Sequence, residues 1–216
     1  MKTSGIVLDC RNLGDLYDDS RYHASIVNTN GVIVRGLHGR GVYFNGVDAF
    51  LDAGNPSQLN ILDAISIEAW VKFDSLTNHD MVISKTVLGT LVGGWGFEYF
   101  NGQLRFYIES WSTNVAYKSF TDTTSWHHLV GTYDRNAGTN QINIYINSVV
   151  GTPDIYSLAI TGTIDNVNIG QGFGGNFSNG NISSVRIYNY ALSADDIKLH
   201  YRQQAPYYQE APIICL

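Results

Sequence analysis

Four glutamates, Glu68, Glu98, Glu109 and Glu210, are the first candidates for chemistry in this sequence. Glycoside hydrolysis needs two carboxyl groups about 5 to 9.5 Å apart. Residues two apart on a strand share a face, and none of these glutamates has a second acid at that spacing. A pair would have to meet from separate strands, so a hydrolase is the weakest reading and no catalytic residue is assigned. His127 and His128 are adjacent, which on a strand sends them to opposite faces and denies them a shared zinc. Gly170-Gln171-Gly172-Phe173-Gly174-Gly175 matches G-x-G-x-x-G but lacks a following helix, so it reads as a loop and not a dinucleotide site.

Aromatic side chains beside polar turns are the better binding signal. Sugar rings stack on flat aromatic faces while neighbouring polar groups bond the hydroxyls. Trp95, Trp111 and Tyr117 have such settings, and Trp111 is followed by Ser112, Thr113 and Asn114. Trp95, Trp111, Asn114 and Tyr117 are the expected ligand-binding residues. Trp70 and Trp126 read as packing residues.

These side chains need a scaffold, and the clearest part of it is Ile65 to Phe73. Ile65, Ile67, Ala69, Val71 and Phe73 alternate with Ser66, Glu68, Trp70 and Lys72. Period two marks a strand with one dry face, and a dry face needs a covering layer. The same alternation recurs in Leu104, Phe106 and Ile108, and in Ile142, Ile144 and Ile146. Asn101-Gly102 predicts a tight hairpin between Trp95–Phe100 and Gln103–Glu109. Ser193 predicts an N-cap for a short helix, with Asp195 and Asp196 in its first turn. The expectation is all-β: a two-sheet antiparallel β-sandwich with one short helix near the C-terminus. One domain is expected over residues 1–202, followed by an extended tail over 203–216.

Composition narrows the function. The 216 residues are 44% hydrophobic but only 15% charged, with a net charge of -6. No Lys/Arg cluster occurs, which argues against nucleic acid as a partner. No apolar run is long enough to insert in a membrane. The first ten residues read as no signal peptide, because their short apolar run passes straight into Asp9 and Arg11. Cys10 and Cys215 lie near opposite ends, and both a bridge and two thiols stay open.

Six stretches carry a family resemblance: Val42–Asp48, Ile65–Val71, Gly102–Phe106, Trp126–Asp134, Ile144–Asn147 and Val185–Ser193. In this order they resemble the laminin G-like branch of the concanavalin A-like lectin/glucanase jelly rolls. The resemblance implies two curved sheets and a binding or adhesion module on an extracellular protein. It also implies a structural calcium at the sandwich rim, for which Asn45 and Asp48 are the matching positions and Ser183 and Ser184 poor partners. The expected function is therefore a non-catalytic recognition module that binds a glycan or glycosylated surface. The alternative is a structural subunit of a phage or virus particle, docking neighbouring or self subunits through the tail. Its location would be extracellular or on a virion surface.

Overall fold

The computed structural model describes residues 5–86 and 92–205. In chain order the strands begin with β1 (Ile6–Cys10), β2 (Val27–Thr29), β3 (Val32–Arg35), β4 (Arg40–Asn45), β5 (Phe50–Asp52) and β6 (Ala64–Phe73). Next come β7 (Asp80–Lys85), β8 (Val92–Phe100), β9 (Gln103–Ser110), β10 (Val115–Ser119), β11 (His127–Asp134) and β12 (Ile142–Ile146). Short pieces β13 (Val149–Val150), β14 (Asn168–Ile169), β15 (Gln171–Gly172) and β16 (Asn176–Phe177) precede the long β17 (Asn179–Tyr188) and helix α1 (Ala194–Gln204).

Two antiparallel sheets hold nearly all of these strands. One runs β13-β12-β11-β6-β17-β4-β3, with β1 also paired to β17. The other runs β10-β9-β8-β7-β14-β5-β2. The predicted inward residues form one core between them: Ile65, Ile67, Ala69, Val71 and Phe73 from β6, Leu104, Phe106 and Ile108 from β9, and Ile142, Ile144 and Ile146 from β12. Each such side chain contributes about 1.5 to 3 kcal/mol when fully buried, so this alternation is the main drive for stacking the sheets. The Asn101-Gly102 hairpin forms as expected, with positive φ at both residues.

The outer face of β6 is buried too, which alternation alone does not predict. Helix α1 lies over it. Ser193 caps the helix by accepting the N–H of Asp196 at 3.1 Å. Beneath the helix, Glu68 is 2% exposed and fully engaged. Its Oε1 lies 2.8 Å from His128 Nε2, and Gln204 Nε2 donates to it at 3.3 Å. Its Oε2 accepts from Tyr188 Oη at 2.7 Å and lies 3.1 Å from His200 Nδ1. Arg186 adds a positive charge 3.6 Å from Oε1. Trp70 Nε1 donates to Gln204 Oε1 at 3.0 Å, and its ring stacks on Tyr201. Burial alone would raise the Glu68 carboxyl; hydrogen bonds from His128 and His200 and the charges of His128 and Arg186 outweigh it. The group is held well below the ordinary carboxylate range.

Helix α1 therefore takes in Gln203 and Gln204, placed by the sequence reading in the extended tail. The remainder of that tail, including Cys215, lies outside the described residues. Cys10 is buried in the core, and burial pushes its thiol pKa up.

Candidate functional site

Among the described residues, no α-helix covers the outer face of the seven-stranded sheet. That face carries a cleft of about 180 Å³ lined by His79, Met81, Glu98, Tyr107, Glu109 and Trp111, with Phe173 and Asn176 on its wall. Strand parity places most of these groups. Trp95 and Phe97 point into the core, so Gly96 and Glu98 point outward. Across the pair, Gly96 faces Tyr107 and Glu98 faces Arg105. A Cβ on Gly96 would collide with the Tyr107 ring, so the missing side chain lets that ring lie across β8. Tyr107 forms the buried floor.

The loops supply the walls. His79 has φ 71° in the turn before β7, and its backbone N–H donates to Tyr99 O at 2.8 Å. Its ring lies 4.6 Å from that of Phe100 and meets Trp111 edge-on at 5.5 Å. Trp111 also meets Phe100 edge-on at 5.9 Å. These three rings brace one another. The opposite wall is the β15–β16 hairpin, pinned to β7 where Ser84 Oγ donates to Gln171 O at 2.8 Å. This hairpin is what the glycine-rich run Gly170 to Gly175 builds.

Three polar groups in and beside the cleft are unfilled. Glu98 is 2% exposed, and its Oε2 lies 3.0 Å from His79 Nδ1. Its Oε1 has no hydrogen-bond partner. Arg105 NH1 lies 4.0 Å from that oxygen, beyond hydrogen-bond range, and the guanidinium sits over the Phe100 ring. Trp111 Nε1 and Arg105 Nε are likewise buried without partners. Burial raises the Glu98 pKa above the ordinary carboxylate value, and the His79 hydrogen bond and the charges of His79 and Arg105 reverse this only in part. An unfilled carboxylate oxygen beside an unfilled indole N–H can accept from one ligand group and donate to another.

Glu98 and Glu109 do meet in one cleft from separate strands. Glu98 faces Arg105, so Glu109 lies four residues further along β9, about 13 Å away by strand rise. The Glu109 carboxylate already accepts the backbone N–H of Thr161.

Of the four residues expected to bind ligand, Trp111 lines the cleft. Asn114 is half-buried and closes the loop that presents Trp111: its carbonyl accepts the Ile108 N–H at 3.1 Å. Tyr117 lies opposite Arg105 on β10, on the same outer face but outside the cleft. Trp95 is corrected. It is 1% exposed in the core, because β8 begins at Val92 and puts Trp95 on inward parity, not beside a turn.

At the expected calcium position the donor set does not fit a cation. Asn45 Oδ1 accepts three backbone N–H groups, from Val47, Asp48 and Ala49, at 2.9, 3.1 and 3.2 Å. Asp48 accepts the side-chain amides of Asn45 and Asn30 at 2.8 and 3.0 Å. Ser183 Oγ accepts the Leu37 N–H at 2.9 Å. Asn45 and Asp48 build a turn. Among the described residues no group of three His, Cys, Asp or Glu side chains could hold a metal ion.

The sequence reading missed His79, Tyr107 and the cleft role of Glu98. The available signal was the outward parity of Glu98 and Tyr107 on strands joined by the Asn101-Gly102 turn. The His79 contact depends on a fold that no local pattern reveals.

The family model described as the concanavalin A-like lectin/glucanases superfamily, of laminin G-like type, matches residues 39–198. The chain belongs to this family. Comparison with curated protein sequences gives no match. Among solved structures, the chain is similar to the binding domain of Paraclostridial mosquitocidal protein 1, with TM-score 0.73 and 15% identity over 93% of this chain and 52% of that one. It is similar to botulinum neurotoxin type C in a study of cell entry dependent on two ganglioside molecules, with TM-score 0.73 and 14% identity over 94% of this chain and 52% of that one. The chain thus spans about half the length of these toxin structures. Domain 4 of the extracellular GH43 arabinanase AbnA from Geobacillus stearothermophilus, in complex with arabinotriose, has TM-score 0.70 and 18% identity over 90% of this chain and 97% of that one. Such identities speak for the shared fold, which hosts many functions.

Proposed function

We propose that this member of the concanavalin A-like lectin/glucanases superfamily is a non-catalytic module that binds a glycan in the cleft between Trp111 and the β15–β16 hairpin. The observation that carries it is the pairing of an aromatic ring with unfilled polar groups: Trp111 beside Glu98, whose Oε1 lacks a hydrogen-bond partner. A sugar offers both an apolar ring face and hydroxyls that donate and accept. Glu109 already accepts the Thr161 N–H, so it is not free to pair with Glu98 in acid-base work, and both glutamates serve as acceptors. A glycan-bound domain of an extracellular enzyme among the similar structures supports an extracellular role.

The test is a broad glycan array followed by titration calorimetry on the best ligand. Trp111→Ala should lower affinity by about tenfold, a change of about 1.4 kcal/mol, which is the scale of one good aromatic contact. Its circular dichroism spectrum should match the parent, because Trp111 lies outside the core, with a modest fall in melting temperature from the lost contacts to His79 and Phe100. Silence across the array, or full affinity in Trp111→Ala, defeats the reading.

A further inference from the structure

Resting on that reading, we propose that the cleft selects uncharged glycans and rejects those bearing a carboxylate or sulfate at the bound sugar. Two carboxylates, Glu98 and Glu109, line the cleft. The positive groups near Glu98 already face its carboxylate, and only the buried Nε–H of Arg105 is unfilled. His79 Nδ1 is on Glu98 Oε2, and Arg105 is stacked on Phe100 and ion-paired with Oε1 at 4.0 Å. Among the described residues, those lining the cleft include no lysine or arginine. An incoming anion therefore meets two carboxylates with no unpaired cationic side chain among the described lining residues, and the chain as a whole carries a net charge of -6.

Hydrogen-bond capacity gives the same answer independently. Glu98 Oε1 is buried and unfilled, and as an ionised carboxylate oxygen it can only accept. A sugar hydroxyl supplies the missing proton in a charge-assisted bond; a ligand carboxylate supplies none. Trp111 Nε1 needs an acceptor, and a second hydroxyl or the ring oxygen serves. A neutral polyol satisfies both groups. An anionic substituent satisfies the indole and leaves Glu98 desolvated beside a like charge, where burial makes repulsion stronger than in water.

Titration calorimetry with matched pairs tests this. Suitable pairs are lactose against sialyllactose, methyl-esterified against free oligogalacturonates, and xylo-oligosaccharides with and without glucuronate. In any pair that binds, the neutral member should bind about tenfold or more tightly, with the gap shrinking as salt screens the repulsion. Glu98→Gln should narrow the gap by admitting the acidic member, while weakening the neutral one. Equal or tighter binding of the acidic member overturns charge selection and leaves glycan binding standing. A gap unchanged in Glu98→Gln overturns the role given to Glu98. Absence of binding by every pair, and across the array, defeats the glycan reading and this inference with it.

Discussion

Glu68 and Glu98 occupy equivalent places on opposite sides of the sandwich. Both sit mid-strand, both point away from the core, and both are 2% exposed. Around Glu68 there are His128, His200, Tyr188, Gln204 and Arg186, and both of its oxygens are hydrogen-bonded. Around Glu98, His79 holds one oxygen and the other is unfilled. Their pKa directions are opposite: Glu68 is held down and Glu98 is pushed up. Burial of an acid therefore does not mark a site in this protein. What separates the structural carboxylate from the one available to a ligand is whether the fold completes its hydrogen bonds.

The largest effect should come from breaking the saturated side. Glu68→Gln should cost about 3 kcal/mol or more in urea denaturation, because it removes the buried charge that His128, His200 and Tyr188 share beneath α1 and leaves Arg186 with Asp9 alone. Its acid dependence has a definite sign. A lowered folded pKa means stability that is present above the unfolded carboxylate value and is lost as pH falls through the folded value. The parent should therefore lose its advantage over Glu68→Gln in strong acid. A loss below about 1 kcal/mol at neutral pH would erase the contrast between the two glutamates.

Gly96→Ala should cost about 1 to 3 kcal/mol, since the new methyl must displace the Tyr107 ring. The cleft floor would shift with it, so glycan affinity should fall in the same variant.

Glu98→Gln should change stability by less than about 1 kcal/mol, as expected where a site trades stability for function. Here the sign reverses. A raised folded pKa means that the contribution is greatest below the unfolded value and is lost as pH rises through the folded value. The variant should gain on the parent as pH rises from acid toward neutrality, as read by melting temperature. Smallest of all, Tyr117→Ala should stay within about 0.5 kcal/mol and leave affinity unchanged, because Tyr117 is exposed and outside the cleft.

Some of this was legible from local pattern. Ile65, Ile67, Leu104, Phe106, Ile142 and Ile144 are all inward as their alternation requires, and Ser193 caps the helix as its position suggests. His127 and His128 do separate to opposite faces: His127 meets the core residue Phe120, and His128 meets Glu68. Trp95 was misread because the two glycines before it lie inside β8 as a bulge and do not form a turn. A one-residue change of parity then moves a side chain from solvent to core. Trp111 was legible as a lone aromatic among polar residues; its partners were not.

The amino-acid sequence by itself determined which side of each strand faces inward, because period two is a property of neighbouring residues. It could not determine what would cover the outward side. Glu68 and Glu98 look alike in their strands, each an acid between apolar or small residues. The ligands of Glu68 come from β11, β17 and a helix 132 residues away, whereas among the described residues no α-helix covers Glu98. Only tertiary contacts between distant segments decide which buried carboxylate is finished and which is left open.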